Sequence, residues 1–370
     1  MHCLRSSAWC LALSSLLAAC TNAAPTAPVD APAAPVDAAP PEDVAAPDTH
    51  GQTLTHRAGP WEMPPGGERT DLCESWTLDN EEPLYVNTVE MQAAPGMHHS
   101  NWFFVPDSAY AGPDGAWRCR DRMFDQGAAA ALGGVFFAQS TQATRDAQRF
   151  PTGTGFVVPP HARVIGALHM LNTASTPRTV DLSLTVRTLA RSEVRTRLSP
   201  FYLEYGPLSI TPRGRSQFDV DCPVGERAMA LTGAPLSLRF FYGLAHYHEL
   251  GTAMRVTVLG GPLDGRALYE NDARLGETWA RTMEPSVDIT GATGLRLTCV
   301  FDNPEARTVR YGNGDGEMCI WFGFTDSPWQ WAARAPLNGT NRPGGTRDGT
   351  TYNTAPCSDI VTLRSRFLDE

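Results

Sequence analysis

From about residue 60 to the C-terminus the chain is a succession of short apolar or alternating runs. In the first half these are EPLYVNTVEMQ (82–92), SNWFFVP (100–106), GVFFAQS (134–140), ARVIGALHMLN (162–172) and TVDLSLTVRTL (179–189). The second half continues with SQFDVDC (216–222), LSLRFFYGLAHYHEL (236–250), TAMRVTVLGG (252–261), GLRLTCVFDN (294–303) and GEMCIWFGF (316–324). Gly, Pro, Asn and Asp separate the runs, and no long stretch repeats with the 3.6-residue period of a helix. Alternation predicts strands with one face buried, and many short strands between turn signals predict β-sandwiches. The stretch RTLARSEVRTRLSP (187–200) is the most charged and least alternating part of the middle. A joint there divides the folded part into two all-β, jelly-roll-like sandwich domains, 59–192 and 193–370.

The first 58 residues have a different texture. Residues 1–20, MHCLRSSAWCLALSSLLAAC, carry Arg5 and then an apolar stretch too short to span a bilayer, the pattern of a secretory signal. It ends in Leu17-Ala18-Ala19-Cys20, which resembles the lipobox of bacterial lipoproteins, with Cys20 as the lipidated residue. Residues 21–58 follow, rich in Ala and Pro, nearly repeating APVDA and lacking large apolar side chains. They predict an extended tether holding a folded head away from a membrane. The expected location is therefore the bacterial cell envelope, with the outer membrane preferred and the head in the periplasm or at the cell surface.

Charge and composition remove several functions. The chain has a net charge of -10 and no basic stripe, which argues against nucleic-acid binding. No lysine occurs, so P-loop and Schiff-base chemistry are excluded. Outside the signal the cysteines are Cys73, Cys119, Cys222, Cys299, Cys319 and Cys357. That is an even set in an exported chain with no CxxC pair, so disulfides are expected over zinc–thiolate sites.

The histidines carry the candidate chemistry. His246 and His248 in GLAHYHELGT leave the same face of a regular strand. His169 sits in a strand-like run, and His98 and His99 are adjacent in PGMHHSNWFF. Five imidazoles on or beside strands suit copper, zinc, iron or nickel. Each alone has an ordinary role as a satisfied core or surface histidine, and an HH pair in a regular strand points to opposite faces. Joint ligation by His98 and His99 requires an irregular strand or different ring nitrogens. His161, after VVPP, reads as a turn residue. Met318, after the Gly/Asp turn NGDGE, is either core filler or a soft thioether ligand that favours Cu(I). NGDGE lacks the full ligand set of a calcium loop and reads as a turn.

The order HH, then a strand histidine, then HxHxLG, then EMC resembles the type II copper, ascorbate-dependent monooxygenases, which include the peptidylglycine hydroxylating and dopamine β-monooxygenase types. The likeness runs from about Cys73 to Cys357 and includes MHHSNWFF, ARVIGALHMLN, FFYGLAHYHELGTAMRV, LRLTCVFDN and GDGEMCIWF. It implies two β-sandwiches, each holding one copper on facing surfaces. His98, His99 and His169 would form the electron-storing site. His246, His248 and Met318 would form the dioxygen-binding, catalytic site. Ascorbate or another electron donor would be co-substrate, and the disulfides would be Cys73–Cys119, Cys222–Cys357 and Cys299–Cys319. The peptide-hydroxylating members grip a substrate carboxylate with an arginine two residues before HxH, and follow the methionine with an asparagine and a tyrosine. Here Leu244, Ile320 and Phe322 stand in those places, implying an apolar small-molecule substrate. The expected protein is a monomeric, copper- and O2-dependent monooxygenase that meets the membrane only through its lipid. A copper-holding lipoprotein without turnover shares every ligand, and a purely structural sandwich is the third reading.

Overall fold

The computed structural model describes residues 51–312 and 315–364, so Cys20, the signal and the tether as far as His50 lie outside the described residues. The described residues belong to one compact unit. The first half contributes β1 (Thr53–Met63), β2 (Glu68–Thr77), β3 (Leu84–Ala93), β4 (Met97–Pro106), β5 (Gly115–Trp117), β6 (Gly134–Ala138), β7 (Arg145–Arg149), β8 (Thr154–Val158), β9 (Ala162–Leu171) and β10 (Arg178–Leu189), with a short helix α1 (Gln126–Leu132). The second half contributes β11 (Thr196–Tyr205), β12 (Ser209–Ile210), β13 (Gly214–Cys222), α2 (Val224–Thr232), β14 (Arg239–His246), β15 (Gly251–Leu259), β16 (Ala267–Asn271), β17 (Arg281–Asp288), β18 (Gly294–Asn303), β19 (Val309–Arg310), β20 (Ile320–Thr325), β21 (Trp329–Ala335), β22 (Arg342–Arg347), β23 (Thr350–Thr354) and β24 (Asp359–Arg364).

The fold is all-β and built of sandwiches. In the first half the sheet β5-β2-β9-β4-β6 buries Trp102, Phe104, Val164 and Leu168 in one core with Val86, Val89, Leu182 and Leu184 of β3 and β10. In the second half the sheet β16-β15-β18-β13-β23-β22 covers Phe201, Leu203 and Trp321 with Phe218, Val256 and Phe301. Alternating side chains of the two layers interdigitate, as period-two sequences require.

The halves are not separate beads. One sheet runs through both in the order β1-β10-β3-β8-β11-β20-β14-β17, joined where β8 and β11 pair in parallel from Thr154↔Thr196 to Phe156↔Leu198. Phe150 and Phe156 of the first half pack on Phe324 of β20, with ring centroids 4.9 and 5.6 Å apart.

The tether is shorter than 21–58 at its end. Residues 53–58 are in β1, which pairs with β10, and the His56 ring stacks on Trp76 at 5.0 Å. The run TLTHRA has only Leu54 and Ala58 as apolar residues because β1 is an edge strand with one face exposed. The three disulfides are Cys73–Cys119, Cys222–Cys357 and Cys299–Cys319, the pairing the family resemblance implies. Three bridges suit an oxidising, exported compartment.

Candidate metal centre

The HH pair is held by an irregular strand. In β4 the register against β9 slips between Met97 and His99, so His98 occupies the bulge and His99 sits opposite His169. A bulge puts two consecutive residues opposite one partner and re-aims a side chain. His98, His99 and His169 therefore face one place, with ring centroids 4.5 to 5.3 Å apart.

The HxH pair uses a strand end. β14 stops at His246, opposite Ile320 of β20, and His248 lies just beyond it. The two rings nonetheless converge, 5.4 Å apart. The reason is Glu317, a buried carboxylate that accepts the backbone N–H groups of His248 at 2.8 Å, Leu250 at 2.6 Å and Met318 at 3.3 Å. Glu317 thereby ties the loop after HxH to the segment before β20. Burial pushes its carboxyl up to about 7, against the three donors that favour the anion. This is the use the NGDGE turn makes of its acid; Asn313 and Gly314 lie outside the described residues.

The two sets meet. His99 lies 4.8 Å from His246 and 5.5 Å from His248, centroid to centroid, and His98 lies 5.5 Å from His248. His98, His99 and His169 form one trio able to hold a metal ion, and His99, His246 and His248 form another, each with ligand atoms within 4.8 Å of one another. All five rings are buried.

Hydrogen bonds fix which nitrogens face inward. His248 Nδ1 donates to the Gly316 carbonyl at 2.9 Å, leaving the lone pair on Nε2. His169 Nε2 faces the Glu68 carboxylate at 2.8 Å, which leaves Nδ1 toward His99 Nε2 at 3.2 Å. A carboxylate or carbonyl on the outer nitrogen is how metal-binding histidines are oriented. Nothing in the sequence around Glu68 marks this role.

Electrostatics favour neutral rings. Burial, reinforced by neighbouring histidines, lowers His98 to about 3 and His99 and His246 well below the usual value. Burial lowers His248 to about 4, and it lowers His169 as well, where Glu68 opposes the shift. Neutral imidazoles are the form that binds metals.

No family model and no curated protein matches the chain. Among solved structures, the chain is similar at 8% identity to the major capsid protein P2 of bacteriophage PM2, over 74% of this chain and 97% of that one, with a TM-score of 0.26. It is similar at 7% identity to the triple jelly-roll fold of an archaeal virus turret assembly, over 75% of this chain and 59% of that one, with a TM-score of 0.21. At those scores neither likeness carries an argument about this chain.

The residues present fit a d-block cation. His98 Nδ1, His99 Nδ1, both nitrogens of His246 and His248 Nε2 are buried with no hydrogen-bond partner. A native interior leaves few such atoms, each costing about 1–3 kcal/mol. A borderline or soft cation converts that cost into ligation, whereas hard Mg2+ or Ca2+ prefers oxygen donors. Met318 is half-buried and lies two residues before Ile320, the first residue of β20, which pairs with His246.

The apolar strip takes a different form from an open pocket. Ile320 lies opposite His246, whereas Leu244 lies opposite Phe322 one step further along the ladder, and the Phe322 ring packs on Tyr202. Leu244 has no exposed surface, Ile320 is nearly buried and only Phe322 is half-exposed. A hollow of about 600 Å3 lined by Arg57, Pro60, Gln92, Arg145 and Asp181 contains none of the histidines. His161 is an exposed turn residue with φ 53°, as its position after Pro-Pro suggested.

Proposed function

We propose that this protein is a copper-binding monooxygenase that uses dioxygen and a reductant such as ascorbate to hydroxylate a small apolar substrate. The observation that carries the reading is the convergence of five buried imidazoles from both halves, with ring nitrogens of His98, His99, His246 and His248 left without a hydrogen-bond partner. His98, His99 and His169 would supply one ligand set, and His246, His248 and Met318 the other. Bound copper would supply one-electron transfer and dioxygen binding, with the thioether favouring the reduced ion.

The chain's own residues do the positioning. Gly316 and Glu68 hold the tautomers of His248 and His169, and Glu317 holds the backbone of His248. Leu244, Ile320 and Phe322 would border the second set, and none of them brings a charge. A substrate carboxylate against them would lose its hydration without a partner, so the reacting carbon should belong to an alkyl or aromatic group. Cys20 would anchor the protein to the envelope.

The complete burial of Leu244 and His246 favours a second reading, a copper-holding lipoprotein without turnover. Metal analysis of the purified protein tests the common ground: two coppers per chain support both readings, and zinc or no metal overturns both. Oxygen uptake with ascorbate, and products from a panel of aromatic and alkyl compounds beside an acylglycine peptide, separate them. Hydroxylation within the panel supports the enzyme. No turnover on any member supports the holder, and efficient hydroxylation of the glycine peptide overturns the apolar-substrate assignment.

A further inference from the structure

We propose that the two histidine sets are one dinuclear copper centre, with His99 serving both ions. The inference rests on the copper reading above and replaces two separate sites on facing surfaces with a single coupled one.

Two observations carry it. The first is ligand sharing. The trio His98, His99, His169 and the trio His99, His246, His248 have His99 in common. An imidazole carries its two nitrogens about 2.2 Å apart, and a metal–imidazole bond is about 2.0 Å, so two ions served by one ring are at most about 6 Å apart. His99 Nε2 faces His169 at 3.2 Å, while its Nδ1 is buried with no partner. Nε2 is thus turned to the first set, and Nδ1 makes no hydrogen bond that would keep it from a second ion. Binding both ions displaces the remaining N–H proton of His99 to solvent, so the bridge is an imidazolate.

The second observation is a latch that keeps the sets together. The loop between β6 and β7 carries Gln139 to Thr144. The Gln142 N–H donates to the His98 carbonyl at 2.5 Å, and Gln142 Nε2 donates to Glu249 at 3.4 Å. Thr141, fully buried, donates its hydroxyl to the Tyr247 carbonyl at 2.7 Å and accepts the Gly276 N–H at 3.0 Å. One loop of the first half therefore grips the peptide of His98 and the residue between His246 and His248. This loop lies beside the centre yet offers no ligand, so its bonds account for the short distance between the sets independently of any ion.

The arrangement predicts magnetic coupling. Two Cu(II) ions joined through one imidazolate pair their spins at low temperature, whereas ions held apart on separate surfaces give independent axial signals. The test is a copper titration of the purified metal-free protein, followed by low-temperature EPR with spin counting and X-ray absorption. Signal intensity should rise up to one Cu(II) per chain and then fall, leaving less than half of one spin per chain at two equivalents. His246→Ala should hold one copper and show its full signal without the fall. This control shows that the loss is coupling and not aggregation, and circular dichroism confirms that the variant is folded. An intensity that climbs linearly to two spins per chain overturns the shared centre while leaving copper binding intact. A single copper at saturation also overturns it, since five histidines would then serve one ion. Failure to bind any copper overturns the proposed function itself.

Discussion

His98 and His99 show what one irregular position does. Without the bulge at Met97/His99, one of the two would point into the core beside Trp102, and only the slip in register brings both to His169. The buried rings make the copper-free protein sensitive to acid. Well above pH 6.5 a histidine is neutral in both folded and unfolded chains. As pH falls, the unfolded chain takes up protons that His98 accepts only near 3 and His248 only near 4. Stability present above about 6.5 is therefore lost as pH drops toward those values. Glu317, held near 7, acts in the opposite sense with a single proton against those of five histidines. The melting temperature of the copper-free protein should fall between pH 6.5 and 5, and a flat profile would show that the rings are solvated. Met318→Ile keeps the bulk and removes the lone pair. On the proposed monooxygenase reading it should abolish hydroxylation and lower the copper content toward one per chain, read by metal analysis and EPR. Unchanged turnover would place Met318 in the core as filler.

Among the elements, the segment from Gly316 to Ile320 is the most heavily tied. Glu317 bonds it to the HxH loop, Cys319 bonds it to Cys299 of β18, and β20 then pairs with both β11 and β14. The Cys299–Cys319 bridge closes a loop of 20 residues. Replacing both cysteines with alanine should cost about 3 kcal/mol, measured by chemical denaturation. It should also weaken copper retention on the methionine side more than at His98 and His169, which lie on other strands. Equal loss on both sides would show that the bridge stabilises the whole body and does not support the centre locally. The strand runs were legible because alternation survives wherever one face is buried. β1 was missed because an edge strand needs few apolar residues, and the start of β20 fell after Met318 because Glu317 holds the preceding residues out of the ladder.

At the scale of the whole molecule, the described residues form one compact unit, in which a single sheet passes through β8 and β11 and the Phe150, Phe156 and Phe324 rings pack across that pairing. The folded part should therefore unfold in one transition, with calorimetric and van't Hoff enthalpies equal. Two resolved transitions would show that the halves are energetically separate despite the shared sheet. The charged stretch 187–200 covers the end of β10, the turn after it and the start of β11, and the described residues on its two sides belong to one compact unit.

The sequence by itself determined the all-β architecture, the cysteine framework that the resemblance paired, and the identity of every histidine at the centre. These depend on local alternation and on residue type, which need no knowledge of distant neighbours. Only the tertiary structure decided that the two histidine sets share one place. That depends on how two sandwiches pack across β8 and β11 and on the grip of Thr141 and Gln142, contacts between residues more than 100 positions apart in the chain. Glu68 belongs to the same class: an exposed-looking acid on β2 becomes the partner of His169 only when β2 and β9 pair.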